Sequence, residues 1–164
     1  METAPTLEGD RIRLEPIDAR LATAMVAGRP DPEMRWEDGF PMEPILNYAR
    51  AIAGATPPAG PFTAFAIIRA DDGAAVGDAG FHGPPAEDGV VEIGYALVPS
   101  ARGAGLGREA VGLLVGWARR RPEVAAIMAR VEPGNEASER ILDGLGFQRE
   151  GDRGGMTCFI LRAP

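Results

Sequence analysis

A mixed α/β domain built on one sheet is the fold class this sequence predicts. Stretches with β-type alternation and stretches with helical spacing interleave in the order β-α-α-β-β-β-α-β-α-β-β. No internal repeat or linker interrupts them. The 164 residues suit a single domain over residues 1–164, long enough to bury a core, and 45% hydrophobic with 25% charged residues argues against disorder.

Taken in order, residues 11–17 alternate as a strand, and Asp18 is placed to cap a helix over 19–27. Residues 28–44 read as a loop. Apolar residues at helical spacing follow over 45–53, ended by the Pro57-Pro-Ala-Gly-Pro61 cluster. Strands 62–69 and 75–81 form a hairpin about Asp71-Asp-Gly73. Turn signals at 83–85 and 87–89 then precede a strand over 90–98. A helix carrying Ala110, Leu113, Leu114, Trp117 and Ala118 comes next, then a strand 124–131, a short helix 135–145 and strands 147–151 and 156–161.

Composition excludes several functions. Formal charge is −7, which makes duplex nucleic acid a poor partner. The one basic run, Arg119-Arg-Arg121, closes a helix just before Pro122, where positive charge suits the dipole. With no lysine in the chain, a Walker-type phosphate loop and a pyridoxal-phosphate Schiff base are both ruled out. One cysteine and one histidine argue against a zinc site, and no metal is expected. Cys158 reads as a buried strand residue. The first ten residues have no basic or apolar leader pattern, and no run approaches a membrane span, so no membrane partner and a cytoplasmic location are expected.

The most informative stretch runs from Val90 to Arg108. A strand feeds Arg102-Gly-Ala-Gly105-Leu-Gly107, which opens a helix. Such a turn aims several unpaired N–H groups outward at the positive end of a helix dipole, an anion cradle best suited to a pyrophosphate. In so glycine-rich a chain Arg-x-x-Gly-x-Gly arises by chance about 0.3 times, so the flanking strand and helix carry the weight. Gly105-x-Gly107-x-x-Ala110 also satisfies a dinucleotide-binding fingerprint, with Glu132 where a ribose-binding acid belongs. Too few strand–helix units follow it to build that fold.

Together these features resemble the GNAT superfamily of acetyl-CoA-dependent N-acetyltransferases. The element order matches over nearly the whole chain. Arg102-x-x-Gly105-x-Gly107 resembles the family's pyrophosphate loop. Glu92-Ile-Gly-Tyr95 resembles the branch that includes ribosomal-protein N-terminal (alanine and serine) acetyltransferases, and Asn135-Glu-Ala-Ser138 with Gly146-Phe147 resembles its second cofactor segment. The resemblance implies a mostly antiparallel, splayed sheet flanked by helices. It implies main-chain pairing of Leu97 and Val98 with the pantetheine arm of acetyl-CoA. It also implies a pyrophosphate held by Arg102, Gly103, Ala104, Gly105, Gly107 and Arg108, with Asn135 and Ser138 contacting the cofactor from across the cleft. Capping of a helix explains Asn135 equally well. Where many relatives carry a tyrosine that protonates the leaving thiolate, this chain has Leu142, which leaves Ser138 through a water, or solvent itself. The resemblance leaves a homodimer open.

An ammonium group must lose a proton before it attacks a thioester. Glu92 is the first candidate base: strict alternation puts it on one strand face with Gly94, Ala96 and Val98, small neighbours that leave room for a ligand. Pairing with an arginine is the competing role. His82, in a Gly/Pro-rich turn, is a second candidate at the acceptor side, and Asp78 a third. Trp36, Asp38 and Phe40, in an acidic loop between the first two helices, are expected to meet a cationic amine on a small molecule or a protein N-terminus. Packing of the two aromatics into the core would explain them equally. The alternative function is a non-catalytic acetyl-CoA-binding module.

Overall fold

The computed structural model describes residues 2–53 and 60–163. Among them lie nine strands and four helices: β1 (Leu7–Glu8), β2 (Ile12–Pro16), α1 (Ala19–Ala27), β3 (Arg35–Trp36), α2 (Glu43–Ile52), β4 (Ala64–Arg69), β5 (Ala74–Phe81), β6 (Val90–Leu97), α3 (Leu106–Ala118), β7 (Ala126–Val131), α4 (Glu136–Gly144), β8 (Gln148–Arg153) and β9 (Met156–Arg162). All strands join one sheet in the order β1-β2-β4-β5-β6-β7-β9-β8, with β3 alongside β5. The sheet is antiparallel except at β3–β5 and β6–β7.

The two-residue strands β1 and β3 are additions to the expected order, being too short to show a period. Residues 28–44 are correspondingly not all loop: β3 interrupts them, and α2 begins at Glu43 because Pro44 is well tolerated in a first helical turn. Of the proline cluster expected to end α2, residues 57–59 lie outside the described residues.

Local chemistry explains the element ends. The Asp18 carboxylate accepts from the Leu21 N–H at 2.8 Å, and Gly28 closes α1 at φ 69°. Asn135 caps α4 in the same way, its Oδ1 accepting from the Ser138 N–H at 3.2 Å. On α3, Ala110, Val111, Leu114 and Ala118 are fully buried, and Trp117 packs at a tilt against Phe81 of β5, ring centroids 5.4 Å apart. That contact fixes which sheet face α3 covers: the one carrying Phe81, Ile93 and Tyr95, which share a face through the β5–β6 register.

One feature of this sheet creates the site. β6 pairs with β5 as far as Leu97, but with β7 only over Val90–Ile93, opposite Ala126–Ala129. Beyond Ile93 the two parallel strands part, and the edge of β6 from Gly94 to Leu97 loses its ladder on that side.

Candidate active site

The turn between β6 and α3 has the form of an anion cradle. Gly103 (φ 81°) and Gly105 (φ 84°) take left-handed conformations that a side chain would strain. Gly105 stands at the N-cap of α3 with no side chain to cap it. The first intrahelical bond is Glu109 N–H to Gly105 C=O at 3.2 Å, so the N–H groups of Leu106, Gly107 and Arg108 have no partner within the helix. Gly107 and Arg108 border a cavity of about 620 Å³ whose walls also include Arg102, Gly103, Gly105 and Arg140. Three guanidinium groups and a helix N-terminus give it the charge that would suit a polyanion.

The cradle is held from behind. Arg11 donates from Nη1 to the Ala104 carbonyl at 2.6 Å and from Nε to Glu109 at 3.0 Å, while the Arg11 main-chain N–H donates to Glu109 Oε1 at 2.7 Å. Desolvation pushes the Glu109 carboxyl up, yet these bonds outweigh it and hold the group below its ordinary value. Glu109→Ala leaves the Arg11 N–H, the partly buried Ile12 N–H and the Arg11 Nε without their carboxylate acceptor. We expect it to cost about 1–3 kcal/mol in denaturant unfolding and to weaken anion binding.

The same cavity reaches the open edge of β6, touching Tyr95, Ala96 and Leu97. The antiparallel ladder decides which of their main-chain groups are free. Val98 N–H bonds Val76 C=O and His82 N–H bonds Glu92 C=O, both at 2.9 Å. Alternation then turns the N–H and C=O of Tyr95 and Leu97 the other way, toward the gap between β6 and β7. The Leu97 carbonyl takes the Arg102 Nε at 3.0 Å. Val98 differs from expectation. Its N–H is committed to Val76, its carbonyl accepts from Ala101 at 3.0 Å, and its side chain is fully buried, so Tyr95 takes its place as the residue with free main-chain groups.

On the sheet face away from α3 lies a group of charged residues. Arg130 of β7 grips Glu92 with Nε and Nη2, each 3.0 Å from a carboxylate oxygen. The imidazole Nδ1 of His82 sits 3.2 Å from Glu92 Oε2. Gly94 makes room for the ring: a Cβ there would stand 2.7 Å from His82 Nε2. A second cavity of about 540 Å³ borders His82, Glu92, Cys158 and the charged side chains of Asp88, Glu150, Arg153 and Arg162. Two residues along the same face, Asp78 pairs across from Ala96, and burial pushes its carboxyl up to about 7.

Residues 11–148 match the acetyltransferase (GNAT) domain family. The chain is 34% identical over 150 residues to the uncharacterized N-acetyltransferase YjdG of Bacillus subtilis (strain 168), covering 86% of this chain and 88% of that protein. This chain belongs to the GNAT acetyltransferase family. Its fold is similar to that of the ribosomal-protein-S5-alanine acetyltransferase from Vibrio fischeri (TM-score 0.70, 18% identity, 98% of this chain and 97% of that one). It is likewise similar to the GNAT-family acetyltransferase from Bacillus anthracis (TM-score 0.68, 17% identity, 97% and 99%).

In this GNAT acetyltransferase, Asn135 and Ser138 stand at the N-terminus of α4 and border the first cavity, opposite the cradle. Leu142, one turn further, is fully buried, so the position where many relatives keep a tyrosine belongs here to the core. A phenol is present all the same. Tyr95 borders the cavity and its hydroxyl donates to the Ser138 carbonyl at 3.4 Å. Burial pushes that phenol up, against a smaller pull from the Ser138 bond, so it keeps its proton at neutral pH.

Trp36, Asp38 and Phe40 are differently placed. Trp36 and Phe40 meet edge to face at 5.6 Å and pack against the core, and the Trp36 Nε1 is buried with no partner. The Asp38 N–H donates to Glu37 Oε1, and Glu37 is tied to Arg69 at 2.7 Å. None of the three borders either cavity. Ala104 turns its carbonyl away to Arg11, leaving its neighbours to line the cradle. No helix among the described residues is long and apolar enough to cross a membrane, and no cluster of metal-ligating side chains is found among them.

Proposed function

We propose that this chain transfers the acetyl group of acetyl-CoA to a primary amine by direct attack in a ternary complex. One observation carries the reading: an uncapped, glycine-opened helix N-terminus and an unpaired strand edge border a single cavity. Gly103 adds the fit, since a Cβ there would meet nothing within 4 Å and the main chain is open to close approach. The N–H groups from Gly103 to Arg108 hold the diphosphate, with Arg102 and Arg108 beside it. The free main-chain groups of Tyr95 and the N–H of Leu97 align the pantetheine arm by strand addition, and Asn135 and Ser138 close the far side. When bound, acetyl-CoA supplies an activated acyl carbon and a thiolate leaving group. The Tyr95 hydroxyl and Ser138, which border the same cavity, are the groups that would return a proton to that thiolate.

The acceptor belongs to the class of cationic amines, either small molecules or protein N-termini. The Vibrio fischeri neighbour, named for the alanine of ribosomal protein S5, is the reason to include the second kind. The test is a screen of acceptors, comprising tyramine, spermidine and peptides beginning with Ala or Ser, read as free thiol released from acetyl-CoA. Turnover of one class at least about tenfold above hydrolysis supports the reading. Tight acetyl-CoA binding without transfer to any amine supports instead a non-catalytic acetyl-CoA-binding module.

A further inference from the structure

Resting on the transferase reading above, we propose that His82 removes the proton from the acceptor amine and that Glu92 acts through it as a positioning residue. Glu92 is the acid the sequence singles out, but its surroundings suit another task. Both carboxylate oxygens are engaged by Arg130 at 3.0 Å in a bidentate, charge-assisted pair. Taking a proton would break that pair. A carboxylate held in this way is suited to orienting an imidazole, and His82 Nδ1 stands 3.2 Å away.

The contact fixes which ring nitrogen does the chemistry. With Nδ1 3.2 Å from Glu92 Oε2, we assign the ring hydrogen to Nδ1, facing the carboxylate, which leaves the lone pair on Nε2. Nε2 projects over Gly94, the first residue of β6 past the last pair with β7. Gly94 and Ala96 leave this face of the strand low, next to the gap toward which Tyr95 and Leu97 turn their main-chain groups. The imidazole side chain is 57% exposed, so an amine arriving from solvent has access to it, whereas Glu92 is only 17% exposed. The charged groups around the ring are Glu92 on β6, Arg130 on β7, and Asp88, Glu150, Arg153 and Arg162 around the second cavity; Asp78 lies four residues earlier, on β5 opposite Ala96.

The proton balance is simple. The acceptor ammonium gives one proton to His82 Nε2, and the resulting imidazolium is stabilised by Glu92. The nitrogen lone pair then forms the C–N bond as the C–S bond breaks, its electron pair leaving on sulfur. The nitrogen then loses its second proton, the thiolate takes one by way of the Tyr95 hydroxyl or Ser138, and His82 returns the first to solvent.

His82 is the only histidine in the chain, so its nitrogen resonances can be read without overlap. Nitrogen-15 NMR of the neutral ring, with no ligand added, should show hydrogen on Nδ1 and a bare Nε2. Glu92→Ala should revert it to the Nε2–H form that free histidine favours. Turnover is then measured on the fastest acceptor among tyramine, spermidine and the Ala- and Ser-initiated peptides. His82→Gln should lower kcat roughly 10²-fold with the acetyl-CoA Kd unchanged, and added imidazole should restore part of the rate to His82→Ala. A wild-type ring protonated on Nε2 overturns the proposal, as does a His82→Gln variant with wild-type kcat. Loss of turnover in Asp78→Asn alone would also overturn it, and would move the base to Asp78. If the wild-type chain binds no acetyl-CoA by calorimetry, the transferase reading falls and this proposal with it. The ligand-free tautomer measurement tells that failure apart.

Discussion

Gly103→Val is expected to weaken acetyl-CoA binding by about 100-fold while the chain stays folded. The turn places Gly103 at φ 81°, where a side chain costs on the order of 1–2 kcal/mol of backbone strain. A Cβ there would meet no protein atom within 4 Å, so the branched side chain enters open space at the mouth of the cradle. That is the space through which a diphosphate must approach the Leu106, Gly107 and Arg108 N–H groups. The neighbouring glycine is a poorer probe, because a Cβ at Gly105 would stand 3.0 Å from Arg11 Nη2 and disturb the brace behind the turn. Isothermal calorimetry gives the affinity, and a thermal melt shows that the fold survives. Wild-type affinity in a folded Gly103→Val chain would mean that the cofactor does not sit at this turn.

The second large effect is on stability. Burial alone pushes the Asp78 carboxyl up to about 7, from an ordinary value of 3.8. The sign follows from linkage. Between these two values the unfolded chain has lost this proton while the folded chain keeps it, so rising pH favours unfolding. The stabilisation is complete below about pH 4 and is lost as pH climbs through about 7, amounting to at most about 4 kcal/mol. Asp72, Glu37 and Glu109 behave oppositely. Their carboxyls are held low, chiefly by Arg69 for the first two and by the Arg11 bonds against desolvation for the third, so their contribution is lost only as pH falls below the ordinary carboxylate range. Urea unfolding across pH 5–8 should show wild-type stability falling, and Asp78→Asn, which mimics the protonated acid, should flatten the slope. An unchanged slope in that variant would mean that Asp78 is hydrated in the folded state.

Much of the site was legible because its chemistry is local in sequence. Strand, glycine turn and helix follow one another from Val90 to Ala118, and the periodicity that builds them is visible residue by residue. The cap at Asn135 is equally local. What escaped the sequence was set by pairing across distance. Arg130 meets Glu92 only because β7 lies parallel to β6 in one register, with Glu92 opposite Met128. The Arg11 brace spans 98 residues to Glu109. Tyr95 is visible in the sequence as part of a motif but not as a cavity residue, since its place depends on where β7 leaves β6. Val98 escaped for the opposite reason: ladder parity assigns its N–H to Val76, and parity is unreadable until the register is known. Trp36 and Phe40 are ambiguous in any polar loop until their partners are seen, and here each is the other's partner.

The central claim is that main-chain N–H groups from Gly103 to Arg108 clasp the diphosphate of acetyl-CoA beside the open edge of β6. A crystal structure grown with coenzyme A tests it most directly. Diphosphate oxygens should lie within hydrogen-bond distance of those N–H groups, with the pantetheine arm along Tyr95–Leu97. Coenzyme A bound at another face, with the first turn of α3 facing solvent, would contradict it.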